Sequence, residues 1–512
     1  MEPKSVLLLA IAIVLAALAA TRKLRIALPL PLGLMFAFAV WTFVRGGLSS
    51  AGALLAAVVI ASVAAGLPRA QRLELARDTS IAIGTGAAVI ASVQWLRGAR
   101  GMEFHGGLGN PNWLGLLLAI TLVLTIFATA SRRWLAAAVA VQLFAWAVAQ
   151  SRAGWIALVA GLGIAWVARR RRVGIPLVAM LALASVVAAR LHVTHHGGVL
   201  GALAGRFWIW KSSLAAAVHA LPFGTGVDRF SDAYLVEQGR LLLGWDAAEA
   251  SRTFVHATTA HNEWLHAFAT LGAVGVVLLA ALVALGIDAT RRRFPAGAGA
   301  LGALAVGASA DVPLHVPAIL VVTALLLSTA RRAPLGGDRL VAIALVALCV
   351  APLEASVRHW RTTRLMTDAR DALPAARSAL LHAAATLSPG SAEAQFAWGT
   401  DQVDRGDLEA GLTSLQRSRA LSAAVSTDVA IGNALVALRR PGEARAAYAR
   451  ALGKNPGSFR AHANLAVALA ELGDFPAAQR ELALAQKLYP GHDKLPHIEE
   501  TVRRLRLEKM TH

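Results

Sequence analysis

The stretch Ala260-His261-Asn262-Glu263-Trp264-Leu265-His266-Ala267-Phe268-Ala269-Thr270-Leu271-Gly272-Ala273-Val274-Gly275 places a polar His-Asn pair about nine residues ahead of an apolar run. An imidazole takes a proton from a hydroxyl near neutral pH, so His261 is a candidate general base. In one continuous helix it would stand near a membrane interface and face its neighbours. The small Gly272 and Gly275 would then let another helix pack closely. On these residues alone, a histidine at that depth better suits a side chain that merely snorkels or caps.

Upstream, Gly205-Arg206-Phe207-Trp208-Ile209-Trp210-Lys211 opens an amphipathic stretch that closes in Leu221-Pro222-Phe223-Gly224-Thr225-Gly226. Trp208 and Trp210 suit a helix in a headgroup layer, with Arg206 and Lys211 placed to meet a lipid phosphate. Arginine would do so bidentately, and ordinary phospholipid would satisfy both cations as well. Gly109-Asn110-Pro111-Asn112-Trp113 reads as a turn whose Asn112 can cap the next helix. Gln150-Ser151-Arg152-Ala153-Gly154 sets Arg152 at the end of a span, where an arginine is costly unless paired or snorkelling. His192, His195 and His196 have no Cys or carboxylate cluster beside them, so no metal site is expected there.

These residues need a scaffold, and composition supplies its class. Hydrophobic residues fill 56% of 512 positions and charged residues 16%, too apolar for a soluble globular chain. Runs near bilayer length cover 5–21, 26–44, 50–67, 79–96, 113–130, 134–149, 154–168, 173–189, 270–287, 296–312, 316–329 and 340–353. The expectation is an all-α polytopic membrane domain, 1–354, of about twelve transmembrane helices. The excess of 50 Lys and Arg over 30 Asp and Glu lies in clusters between these runs, which speaks for topology and against nucleic acid. Arg22, Lys23 and Arg25, then Arg69, Arg72 and Arg77, Arg132 and Arg133, Arg169 to Arg172, Arg291 to Arg293, and Arg331, Arg332 and Arg339 fall at every second connection. The positive-inside rule makes those cytoplasmic. It sends 45–49, 97–112, 150–153, 190–269, 313–315 and everything after 354 outside, and the N-terminus with them. The loop 190–269 is long enough to be functional or separately folded. Val6 to Ala20 reads as an uncleaved first helix because Thr21, Arg22 and Lys23 make a poor cleavage site. The single cysteine, Cys349, has no partner for an intrachain disulfide and reads as a packing thiol.

From 355 to 512 the composition turns to Ala, Arg, Glu and Leu at helical spacing with regular Gly and Pro. A 34-residue shift aligns Ala451 with Ala485, Pro456 with Pro490 and Ala444 with Ala478, and Gly399, Gly406, Gly432 and Gly473 keep related places. This period resembles tetratricopeptide repeats, in units of about 391–423, 424–456 and 457–490 after a partial one. The expected C-terminal domain is a soluble α-helical solenoid with a possible protein partner.

In chain order, the Asn-Pro-Asn turn, the Ser-Arg-Ala-Gly step, Arg206-x-x-x-Trp210, the Pro-x-Gly-x-Gly turn and His261-Asn262-x9-Gly272-x-x-Gly275 resemble the superfamily of O-antigen ligases, O-antigen polymerases and protein O-oligosaccharyltransferases. The match covers roughly 105–285; Trp210 stands where the family usually has leucine. The resemblance implies transfer of a glycan from undecaprenyl diphosphate to an acceptor hydroxyl of lipid A core, a glycan or a protein. The transfer would need no metal or other cofactor and would occur on the periplasmic face of a bacterial inner membrane. It implies His261 as the base and Arg206, with Arg152, holding the departing diphosphate. Asn262 would position substrate; Lys211, Asn110 and Asn112 would line its binding site. Tetratricopeptide tails occur in the superfamily. A non-enzymatic scaffold, with spans that only anchor the repeats, is the alternative from another class.

Overall fold

The structure is a computed structural model that describes residues 3–21, 26–129, 135–169, 198–330 and 338–510. Among them it is all-helical, with no strand. The run 173–189, the histidines His192, His195 and His196, and the basic clusters at 22–25, 132–133, 170–172 and 331–332 lie outside the described residues.

Two compact units are present. The first comprises 1–206, 217–228 and 259–356. Its helices are α1 (Pro3–Ala20), α2 (Leu30–Val44), α3 (Leu48–Gly66), α4 (Arg69–Leu96), α5 (Pro111–Thr129), α6 (Ala136–Ala149) and α7 (Arg152–Arg169). After α8 (Gly198–His219), whose length the division crosses, and two loop helices, α9 (Phe230–Leu242) and α10 (Ala247–Thr253), come α11 (Glu263–Arg291), α12 (Pro295–Gly307), α13 (Pro317–Ser328) and α14 (Asp338–Asp368). Proline opens α2, α12 and α13, where its missing N–H costs nothing and its fixed φ suits a first turn. Small residues let helices meet at backbone distance: a Cβ on Gly299 of α12 would come within 2.4 Å of the Gly161 carbonyl oxygen of α7. Polar groups inside are paired. Gln142 accepts from Thr121 Oγ1 at 2.9 Å and donates to Thr85 Oγ1 at 2.9 Å and Thr125 Oγ1 at 3.1 Å.

Every apolar run outside 173–189 coincides with a helix. Among the described residues, five helices are long and apolar enough to cross a membrane: α4, Pro111–Ala128, α7, α11 and Ile343–Asp368. Other apolar helices are shorter: α2, α6, α12 and α13 have 15, 14, 13 and 12 residues. A straight crossing needs about 20 residues.

The second unit comprises 207–216, 229–258 and 357–512. Its helices pair as expected of the repeat: α16 (Ala392–Asp404) with α17 (Leu408–Leu421), α18 (Val425–Ala437) with α19 (Pro441–Lys454), and α20 (Phe459–Leu472) with α21 (Phe475–Leu488). They are preceded by α15 (Pro374–Leu387) and followed by α22 (Leu495–Met510). Ser391, Ser458 and Asp474 cap helix starts through side-chain oxygens. Gly473, at φ +87°, ends α20 in the left-handed conformation that glycine adopts without strain. Gly432 is where α18 meets α19; a Cβ there would lie 2.3 Å from the Tyr448 ring.

Segments of the long loop belong to this unit and pack on the second helices of the repeats, α9 on α19 and α10 on α21. Asp232 accepts from Ser422 Oγ at 2.9 Å and from the Ala423 N–H at 2.7 Å. Gly239 lies against the Gly453 carbonyl, and Gly457 against Ser251, each at a distance that excludes a Cβ. Burial pushes the Tyr234 phenol of α9 up to about 12.

Asp428 of α18 is fully buried and takes Arg450 Nε at 3.2 Å and Lys454 Nζ at 2.6 Å. Both cations reach solvent, so removing the carboxylate strands neither and forfeits two charge-assisted hydrogen bonds. Asp428→Ala should therefore cost about 2 kcal/mol. Thermal unfolding checks this, and an unchanged midpoint would refute it.

Candidate functional site

Helix α11 starts later than a continuous helix through His261 would. Asn262 is its N-cap, with Oδ1 accepting from the Leu265 N–H at 3.1 Å. His261 precedes the cap at φ +47°, in the left-handed region that few residues with a Cβ adopt. The helical placement of His261 is thus corrected: the cap's extended backbone stops the helix at Glu263. That first helical residue makes three hydrogen bonds to the 308–314 segment. Its N–H donates to the carbonyls of Ala308 at 2.7 Å and Asp311 at 3.0 Å, and its Oε2 accepts from the Leu314 N–H at 3.0 Å.

Gly272 and Gly275 do not serve as a helix-packing pair. Gly272 has φ +70° and ψ −162° and breaks α11. The turn 222–226 fills the break, and the bare α-carbons of Gly224 and Gly272 make room for it. A Cβ on Gly272 would lie 2.1 Å from the Pro222 carbonyl oxygen. Carbonyls released by the break are each satisfied: Ala269 by the Thr225 N–H at 2.8 Å, Thr270 by the Gly226 N–H at 2.9 Å, Leu271 by the Trp41 indole at 2.9 Å. Arg45 donates to the Gly224 carbonyl at 2.6 Å. Gly275 meets Leu271 of its own helix.

The Asn-Pro-Asn turn and the Ser-Arg step are joined to each other and to the 308–314 segment. Asn110, not Asn112, does the capping at α5: its Oδ1 accepts from the Asn112 N–H at 2.8 Å. The Asn112 carbonyl accepts from Ser151 Oγ at 3.4 Å, and that oxygen accepts from the Gly154 N–H at 3.1 Å. Gly154 lies against Gly115 at a distance that a Cβ would close. Arg152 opens α7, half-buried. Trp113 Nε1 donates to Asp311 Oδ1 at 3.4 Å, which connects the Asn-Pro-Asn turn with the segment that holds Glu263. Arg206 lies half-buried on α8 in this unit. Lys211 belongs to the other unit, exposed, its ammonium 5.0 Å over the Trp208 ring.

Beside these segments is a cavity of about 360 Å³ whose walls include Lys4, Trp113, Glu263, His266, Thr270 and His315. Its remaining lining is mostly apolar. None of the seven predicted site residues lines it among the described residues. Glu263 and His266, at 3% and 4% exposure, share a face of α11. The His266 and His315 rings are 5.2 Å apart, edge to face. Sequence reasoning missed this set. The three-residue spacing of Glu263 and His266 was a usable signal, whereas nothing local marked His315.

Residues 429–493 match the family described as tetratricopeptide repeat, so the C-terminal part carries that repeat. No curated protein matches the chain. Among solved structures, a crystal structure of MamA protein is 21% identical over 29% of this chain and 80% of its own, with TM-score 0.24. A second, MamA MSR-1 C2, is 19% identical over 30% and 98%, with TM-score 0.25. YrrB, titled a TPR protein with an unusual peptide-binding site, is 18% identical over 29% and 84%, with TM-score 0.23. The family match lies wholly in the C-terminal unit, so the resemblance across 105–285 rests on its own motifs.

Proposed function

We propose that the chain is a membrane glycosyltransferase of the O-antigen ligase type, moving a glycan from undecaprenyl diphosphate to an acceptor hydroxyl at the periplasmic face of a bacterial inner membrane. What supports this reading most is that motif pieces scattered along the chain are linked within one unit: the 222–226 turn bonds through its backbone to the break in α11, Ser151 Oγ donates to the Asn112 carbonyl, and Trp113 Nε1 donates to Asp311, whose carbonyl accepts from the Glu263 N–H. On this reading the apolar helices are a polytopic scaffold of about twelve spans. His261 takes the proton of the attacking hydroxyl; Arg206 with Arg152 stabilises the diphosphate as the anomeric C–O bond to it breaks. Asn262 serves by holding the helix start. Direct attack inverts the anomeric centre. A polymerase or a protein O-oligosaccharyltransferase differs only in the acceptor.

Purified full-length protein in nanodiscs, given undecaprenyl-diphosphate oligosaccharide and separately lipid A core, a second lipid-linked unit or candidate proteins, should increase the mass of one acceptor. Lipid A core is the expected one. Donor left intact with every acceptor would refute the proposal.

A further inference from the structure

We infer that the cavity beside the start of α11 seats a neutral sugar ring of the acceptor, held by Glu263 and His315 and stacked on Trp113. The inference rests on the glycan-transfer reading for the word acceptor, but the binding chemistry stands on the cavity. At about 360 Å³ it lies toward the lower end of small-molecule pockets, roughly 300–1,000 Å³, room for the end of a glycan rather than a polyprenyl chain.

The polar end sets a carboxyl beside an imidazole. Glu263 Oε2 is spent on the Leu314 N–H, while Oε1 lies 3.8 Å from His315 Nε2. That separation is too long for a hydrogen bond, yet it suits one hydroxyl that donates to the carboxyl and accepts from the imidazole, since such bonds run about 2.5–3.2 Å. A sugar ring carries hydroxyls of that kind along its edge and C–H groups on its face. The Trp113 indole, fixed by its bond to Asp311, gives that face an apolar plate. Leu54, Leu271 and Pro317 line other walls.

A diphosphate suits the cavity poorly. Glu263 contributes a carboxyl to the wall and Asp311 another beside it, and the Lys4 ammonium donates to the Gly107 carbonyl. The pocket is therefore separate in chemistry from Arg206 and Arg152, which suit the anionic donor.

Saturation-transfer NMR on the full chain in nanodiscs, with a panel of neutral hexoses, N-acetylhexosamines and their disaccharides, tests this directly. At least one sugar should show transfer, inorganic pyrophosphate should not displace it, and affinity should fall tenfold or more in Glu263→Gln and His315→Phe. Glutamine keeps an acceptor for the Leu314 N–H, so Glu263→Gln should fold; a melting curve checks it. Ala267→Leu, which fills the cavity from α11, should abolish binding independently. No sugar bound, displacement by pyrophosphate, or folded variants that bind as the parent does would each overturn the inference. The transfer assay separates the two ideas. If the parent transfers glycan while Glu263→Gln leaves the acceptor KM unchanged, the cavity assignment fails alone. Sugar binding without transfer would sink the transferase reading and leave the pocket standing.

Discussion

Gly272→Val is expected to destabilise the protein by about 3–5 kcal/mol and to abolish transfer. A valine Cβ would stand 2.1 Å from the Pro222 carbonyl oxygen and 2.7 Å from the Gly224 nitrogen, both backbone atoms that cannot swing aside. The φ of +70° adds strain of order 1–3 kcal/mol for a residue with a Cβ. Relief requires the 222–226 turn to leave, which gives up its hydrogen bonds to α11 at about 0.5–1.5 kcal/mol each. Gly86→Ala is the matched control: it is exposed in α4, its Cβ would meet nothing within 4 Å, and it should be neutral or stabilising by up to about 1 kcal/mol. Melting curves in detergent measure both. Equal midpoints for the two variants would mean that the break in α11 is not held by the turn.

The role of Gly272 is not legible in its local sequence. A single Gly inside a helix-period apolar run reads as a packing position, because periodicity carries no record of a φ forced by a distant turn. The residues that break α11 lie at 222–226. The burial of Glu263 is equally non-local, licensed by the Leu314 N–H 51 positions later. Features with local causes were legible. The apolar runs, the proline-opened helices and the small residues between paired repeat helices follow from hydropathy, fixed φ and side-chain volume over one or two turns. Helix lengths were less so, because a run's apolar ends need not be helical: 296–312 yields a helix of 13 residues. The loop's share in the repeat unit was equally hidden, for Asp232 meets Ser422 across 190 positions.

A repeat whose second helices already carry α9 and α10 has less free surface for another protein. Its first helices, α16, α18 and α20, remain the face to offer, with Asn433 and Asn464 joined there by a 2.7 Å hydrogen bond.

His261→Asn should lower kcat for glycan transfer by about 10²–10⁴-fold, the usual range for a lost general base. Asparagine is the informative replacement because it tolerates the left-handed φ of +47° that His261 holds, so loss of the base is separated from loss of the backbone. Alanine would confound the two. Arg206→Ala should bring a loss of similar size, because the departing diphosphate develops charge that a fixed guanidinium stabilises with two parallel hydrogen bonds. Arg206→Lys keeps the charge and loses the fork, so it should recover only part of the rate. Parent-level transfer by folded His261→Asn would remove His261 from the chemistry. The cavity imidazoles His266 and His315 would then be the next bases to test, since both face a space large enough to hold the hydroxyl that must be deprotonated.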